Sequence, residues 1–313
     1  MVYTNFYPQP LQLFCPKNIM QHNHPVWLNR KEYPFLPNYL QLEKARLHYL
    51  DEGQGEPIVF VHGTPSWSFD FRKLIKAFSL THRCIAPDHI GFGLSDKPAD
   101  YHYAIRNHCD NLERLLRHLQ LKNITLVVHD FGGPIGMDYA LKHPGRISRV
   151  VVLNSWLWDC SHLLALRRFR KLANSPLLPI LYTYLNFSAK VLLPGSFAQR
   201  PGRDLLSQYL GPFAKKSDRL GCLAFARSLA NDQAWFEELW QRRHVLADKE
   251  FLFVWGMADR FITPDFFEKF AGGFPNSEMV QLNCGHFPQE ERPEEVIAAM
   301  CGMMKTDRAQ RVK

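Results

Sequence analysis

Residues 124–133 read Ile-Thr-Leu-Val-Val-His-Asp-Phe-Gly-Gly, and no other stretch restricts the fold as strongly. The apolar, β-branched run reads as a buried strand. It stops abruptly at a polar pair and two glycines, and Ile135–Leu141 then has helical spacing. A strand-turn-helix this tight needs residues without bulky side chains around the turn, and it thrusts the apex residue, Asp130, out at the carboxyl edge of a sheet. Similar short runs recur at Arg46–Leu50, Ile58–Val61, Arg83–Pro87, Val150–Leu153, Phe251–Trp255 and Glu278–Leu282. Between several of them lie helical patterns such as Asn107–Leu119, which carries Leu112, Leu115, Leu116 and Leu119 on one face. Such alternation predicts an α/β fold with a mainly parallel sheet.

From Trp156 to about Leu246 the strand rhythm gives way to Leu-, Phe- and Arg-rich helical patterns broken by Pro176, Pro179, Pro194, Pro201 and Pro212. We expect a core domain formed by residues 1–155 and 247–313 and an inserted helical cap over 156–246. The first 40 residues, with six prolines, read as an extended lead-in. At 313 residues with 46% hydrophobic content, the chain can bury a large core. Leu177–Pro194 is its most apolar long stretch, but Pro179, Asn186, Ser188 and Lys190 interrupt it. A buried or interfacial helix suits it better than a membrane span.

Charge is concentrated in the same insertion. Cys160 to Glu250 holds 14 Lys and Arg against 7 Asp and Glu, a net +7, whereas the rest of the chain holds 24 and 23, a net +1. A basic block of this kind suits solvent, an anionic membrane surface or an acidic partner enzyme. No aromatic interleaving, zinc-finger or RNP pattern accompanies it, so nucleic acid is not expected. The seven cysteines (Cys15, Cys84, Cys109, Cys160, Cys222, Cys284, Cys301) are odd in number and scattered, with no CxxC pair. Together with an N-terminus lacking a charged region followed by an apolar one, this predicts a reduced, cytoplasmic protein.

A carboxylate at the apex has a definite chemistry. Carboxylates are ordinarily ionised at pH 7, so Asp130 can attack a saturated carbon without a base, forming an ester. A base is then needed only to hydrolyse that ester. The competing reading is an Asp that merely caps the following helix. His286, in Asn283-Cys284-Gly285-His286-Phe287-Pro288, follows the last expected strand and supplies the base. Asp259, in Val254-Trp255-Gly256-Met257-Ala258-Asp259, lies in the turn after another strand and supplies the acid. Surface roles are expected for Asp265, Glu290 and Glu291. In Val61-His62-Gly63-Thr64-Pro65, a strand runs into a small-residue loop that can aim the N–H of Thr64 into the pocket, where with the N–H of Phe131 it would form an oxyanion hole.

These motifs, in this order, resemble the Asp-nucleophile α/β-hydrolases, and within them the haloalkane dehalogenases. The resemblance extends from Glu32-Tyr-Pro-Phe and Leu47-His-Tyr-Leu-Asp-Glu-Gly through Ala86-Pro-Asp-His-Ile-Gly-Phe-Gly-Leu-Ser-Asp-Lys-Pro98 to Gly285-His286. Pro65-Ser-Trp-Ser-Phe with Pro87-Asp-His-Ile-Gly is most similar to the third dehalogenase subgroup, which shades into the β-lactone decarboxylases of bacterial olefin biosynthesis. The resemblance implies the α/β-hydrolase fold, a small apolar substrate and the triad Asp130, His286 and Asp259. Two positions depart from the pattern. The family grips halide with a Trp after the nucleophile and, in this subgroup, an Asn in the loop that here contains Thr64; this chain has Phe131 and Thr64.

Replacement donors could come from Trp67, Trp156, Trp158 or Trp235, the last expected to be core. Phenols for epoxide opening could come from Tyr182, Tyr184 or Tyr209, and Phe287 is a further pocket candidate. The functional alternatives are therefore a dehalogenase-like hydrolase, a β-lactone decarboxylase or epoxide hydrolase, and a binding protein on the same fold. No metal or organic cofactor is expected, because His22, His24, His102 and His108 fall in no ligand spacing and read as surface residues. The sequence sets no oligomeric state.

Overall fold

The computed structural model describes residues 25–275 and 277–311. Eight strands form one sheet: β1 (Asn38–Gln41), β2 (Arg46–Glu52), β3 (Pro57–Val61), β4 (Arg83–Pro87), β5 (Ile124–His129), β6 (Ile147–Leu153), β7 (Glu250–Gly256) and β8 (Ser277–Leu282). Their spatial order is β1-β2-β4-β3-β5-β6-β7-β8. The pairings of β1 with β2 and of β2 with β4 are antiparallel, and all the others are parallel.

The strands are apolar on both faces because helices cover both. Val59, Val61, Leu126, Val128, Val150, Val152 and Phe253 pack into one layer. Their immediate neighbours Ile58, Phe60, Val127, Val151, Leu252 and Val254 pack into the other, the period-two alternation of a pleated strand. Every residue of β5 is buried, as its continuous apolar run predicts.

Residues 25–41 do not hang off this core. Tyr33 is buried and its hydroxyl lies 2.6 Å from Ser68 Oγ, while Asn38–Gln41 is an edge strand whose short polar sequence hides it from pattern reading. The earlier part of the expected lead-in, with Cys15, His22 and His24, lies outside the described residues.

Between β6 and β7 the chain forms only helices and the loops that join them. Leu177–Leu192 is neither one buried nor one interfacial helix. It begins with a single α-turn and widens into two π-helical segments, Ile180–Tyr184 and Ser188–Leu192. Wide and tight turns leave carbonyls without their usual partners. Buried Arg219 collects several of them, donating to the carbonyls of Thr183 (2.6 Å), Phe213 (2.8 Å) and Ala214 (2.8 Å). Arg219 thus ties these irregular turns together, while buried side chains such as Leu178, Tyr182 and Phe213 pack the insertion into the core.

Candidate active site

Five neighbouring parallel strands, β3, β5, β6, β7 and β8, each deliver a polar or small residue at their carboxyl ends, where open α/β sheets form their crevices. After β5, Asp130 adopts a left-handed backbone, φ 52°, before the helix Gly132–Lys142. A non-glycine residue there is strained and must be held in place. The Asp130 N–H donates to the Asn154 carbonyl (3.1 Å), and its own carbonyl accepts from Ser155 Oγ (2.6 Å) and the Gly133 N–H (2.9 Å). Glycine is required twice around this turn. A Cβ on Gly132 would fall 1.9 Å from the Val61 carbonyl oxygen, and one on Gly63 would fall 2.5 Å from Asp130 Oδ1.

The three side chains expected to act together do meet. His286 Nδ1 lies 2.7 Å from Asp259 Oδ2, and His286 Nε2 lies 3.4 Å from Asp130 Oδ2. Because a carboxylate can only accept, the Nδ1–H is the donor to Asp259. The N–H of Phe131 donates to Asp130 Oδ1. The loop bearing His286 is fixed through its N–H, which donates to the Ser196 carbonyl of the helical insertion at 2.8 Å.

Burial disfavours a charged His286, but the carboxylates of Asp259 and Asp130 outweigh it and raise the imidazole to about 10. Burial likewise opposes ionisation of Asp259, and His286, the Phe261 N–H and the Asn154 amide together hold it below the usual carboxylate range. The carboxylates on either side thus favour the charged form of the imidazole.

Several contributors were not foreseen. Asn154, at the end of β6, is wholly buried and ties two strands together. Its Nδ2 donates to Asp259 Oδ2 (2.9 Å) and its Oδ1 accepts from the Gly256 N–H (2.8 Å). The clue in the sequence is an amide directly after the apolar run Val150–Leu153. Behind His286, the ring of His129 lies 4.6 Å away and its Nε2–H donates to the His286 carbonyl (2.7 Å). His129 Nδ1 in turn faces buried Asp70 at 3.3 Å.

The surface role expected of Glu290 is wrong. It is buried, where Arg72 and Lys73 pair with it and the Tyr209 hydroxyl donates to it. Glu291 is half-buried and accepts from the N–H groups of Gly285 (2.8 Å) and Ala198 (3.0 Å), so it shapes the His286 loop. Asp265 is exposed, as expected.

Asp130 and His286 open into a cavity of about 390 Å³. Thr64, Phe131, Trp156, Tyr182 and Phe287 line it, together with Leu166, Phe169, Leu172, Phe187, Leu192, Cys222, Leu229, Phe261, Ile262 and Phe266. Three pocket candidates lie elsewhere. Trp67 is in the core, its indole N–H committed to the Gln208 carbonyl (3.0 Å). Tyr209 is buried and donates to Asp70 (2.8 Å) and Glu290 (3.1 Å). Tyr184 is exposed, with the Lys216 ammonium over its ring. Trp158 and Trp235 are core aromatics; Trp158 packs on Trp240 and Phe270. The ring of Phe131 packs edge-on against Trp156 and Phe225, at 4.8 Å from each.

His108, expected at the surface, is fully buried among His89 and Phe225, and burial drops its imidazole to about 3. Among the described residues no group of three His, Cys, Asp or Glu side chains is placed to hold a metal ion.

Comparison with known proteins gives a consistent picture. A family model described as the alpha/beta hydrolase fold matches residues 56–293. A cis-3-alkyl-4-alkyloxetan-2-one decarboxylase of Shewanella oneidensis is 37% identical over 275 residues, covering 84% of this chain and 86% of that protein. Haloalkane dehalogenase 2 of Mycobacterium tuberculosis is 33% identical, covering 86% and 94%. Among solved structures, haloalkane dehalogenase DbeA from Bradyrhizobium elkani superposes with a TM-score of 0.80 at 25% identity, covering 88% of this chain and 99% of that one.

Proposed function

The chain belongs to the alpha/beta hydrolase family as a haloalkane dehalogenase-like enzyme, and we propose that it opens a strained cyclic ester, an oxetanone with apolar arms, through a covalent ester on Asp130. His286 and Asp259 complete the triad, and the N–H groups of Phe131 and Thr64 form the oxyanion hole.

One observation carries the choice of substrate. The two positions that would flank a departing halide hold Phe131, which has no N–H on its ring, and Thr64, while the cavity lining is otherwise almost entirely apolar. A free halide leaving between these two positions meets neither an indole nor an amide donor there. A ring carboxylate spreads its charge over two oxygens and leaves under ring strain, so it depends less on donors. Asp130 Oδ2 attacks the ring carbon bearing oxygen, that C–O bond breaks, and a carboxylate remains on the neighbouring carbon. The bond to that carboxylate then breaks, its electrons form the alkene as CO₂ departs, and the carbon–Asp130 bond returns its pair to Asp130. No water or proton is consumed. The carboxylates of Asp259 and Asp130 favour a charged His286, and such a charge suits this route, since it faces the carboxylate that is esterified and then regenerated.

Hydrolysis is the second reading, favoured by Trp156, whose indole nitrogen is buried without a hydrogen-bond partner in the wall of the same cavity. Forming the ester removes the charge of Asp130, one of the two carboxylates that raise His286, so the imidazole moves toward its ordinary value and becomes able to deprotonate water. Epoxide opening fits less well, because Tyr182 alone of the three phenols lines the cavity. The six described cysteines are free thiols, five of them buried, which supports the cytoplasmic placement.

Turnover in heavy-oxygen water separates the readings. Decarboxylative opening leaves the Asp130 peptide unlabelled and releases CO₂ with an alkene, whereas hydrolysis puts label into Asp130. Labelled Asp130 with no alkene would overturn the oxetanone assignment in favour of hydrolysis.

A further inference from the structure

The segment that roofs the cavity has a second face. Residues 160–203 contain seven Lys and Arg and no Asp or Glu. Its inner side chains, among them Leu166, Phe169, Leu172 and Tyr182, line the cavity. On its outside Leu164, Leu177, Ile180, Tyr184, Leu185 and Val191 are each 48–61% exposed. Cations sit among them. In the helix Leu164–Ala173, Leu164 shares a face with exposed Arg168 and Lys171, four and seven residues on, and exposed Lys190 adjoins Val191. None of the seven cations pairs with a carboxylate among the described residues.

We infer that this outer face of residues 164–191 docks on an anionic lipid surface. Two observations favour lipid over a protein partner. Exposed aliphatic side chains flank a cluster of long exposed cations, Arg167, Arg168, Arg170 and Lys171, that can keep their charges at headgroup level while their stems lie along acyl chains. Protein contact faces, by contrast, rely on a contiguous buried centre rich in aromatic residues, whereas the exposed apolar residues here are aliphatic apart from Tyr184. Tyr184, with Lys216 4.0 Å above its ring, has the amphipathic character found at membrane–water boundaries. Among the described residues no helix is long and apolar enough to cross a membrane. The use of the attachment rests on the apolar substrate proposed above: the segment that touches lipid on one side bounds the cavity on the other, which shortens the path of a molecule that partitions into bilayers.

Binding is tested independently of turnover, by sedimenting the full chain with vesicles of phosphatidylcholine alone or mixed with phosphatidylglycerol. The wild type should pellet with the anionic vesicles at 0.1 M salt and be released at 1 M, where the screening length falls from about 10 Å to about 3 Å. Each interfacial cation is worth about fivefold in partition, so Arg168→Glu with Lys171→Glu should lower binding by about 25-fold or more. Leu177→Ser with Leu185→Ser should lower it as well. Both pairs should keep the wild-type circular dichroism and the turnover of a short, water-soluble substrate. Asp130→Ala should bind vesicles like the wild type while inactive, which keeps a failed chemistry distinct from a failed attachment. Equal pelleting with neutral and anionic vesicles, or undiminished binding by the charge-reversed pair, overturns the inference. So does a lack of vesicle binding, including the case where light scattering shows a dimer that assigns the face to a second copy.

Discussion

The edge of the sheet and the helical insertion build the same cavity by opposite means. At the sheet edge, position is dictated by backbone: five parallel strands end side by side, and Asp130, Asn154, Asp259 and His286 follow four of them. Each residue is locked by main-chain bonds, such as the two donors on the Asp130 carbonyl. In the insertion, position is dictated by packing. Short helices and π-helical turns have no ladder to set them, and Arg219 gathers their loose carbonyls. A backbone-determined site tolerates no change in its members but leaves few of them to choose. A packing-determined wall can exchange residues one at a time, which suits it to setting substrate size.

The contrast is broken most directly at its extremes. Asp130→Ala should lower turnover by about 10⁴-fold or more, because no other group can form the ester. His286→Ala should still accept a hydrolysable substrate once and hold it as an ester, visible by intact mass. Equal residual turnover in Asp130→Ala would place the nucleophile elsewhere and sink the site as built.

The same contrast explains what could be read from the chain. Arg83–Pro87 and Ile124–His129 have the bounds expected of them, because a strand covered on both faces writes a continuous apolar run into sequence. Asp130 was legible because it directly follows such a run, and Asp259 and His286 because they lie in the loops after later strands in the same chain order, although β8 itself is only partly buried. Asn38–Gln41 was not, since an edge strand exposes half its side chains. Tyr184 and Tyr209 lie 25 residues apart with similar surroundings in sequence, yet one is exposed and the other is buried against Asp70 and Glu290. Only the three-dimensional course of the insertion separates them. Glu290 misled for a related reason: its partner Arg72 lies 218 residues away, so nothing local announces that its charge is balanced.

Stability should divide along the same line. Leu126→Ala empties a space in the close-packed layer over β5 and should cost about 2–5 kcal/mol. Leu172→Ala removes a half-buried side chain from a wall that already faces open space, and should cost less than about 1 kcal/mol while admitting a bulkier substrate. Denaturant unfolding of both variants checks this; equal losses would mean that the insertion is packed as tightly as the sheet.

The finest test asks whether Asn154, which touches no substrate-facing atom of Asp130 or His286, works through position alone. It holds the Asp259 oxygen that accepts from His286 and clamps the end of β7. In Asn154→Ala, Asp259 loses a donor and its orientation, and a hydrogen bond to a buried charge is worth about 1.5–3 kcal/mol, or about ten- to a hundredfold in rate. A merely structural loss would lower activity equally at every pH, but a positioning loss would not. The folded-state value of His286 is raised, to about 10 from 6.5, so the stabilisation it brings is complete below about 6.5 and fades as pH climbs toward about 10. With Asp259 less firmly presented, that value should fall, so the alkaline loss of stability, which still begins near about 6.5, should be smaller and end at lower pH in Asn154→Ala than in the wild type. His286 nitrogen shifts followed by NMR report the titration directly. An unchanged titration beside a large fall in kcat would assign Asn154 to the fold of β7 and not to the histidine.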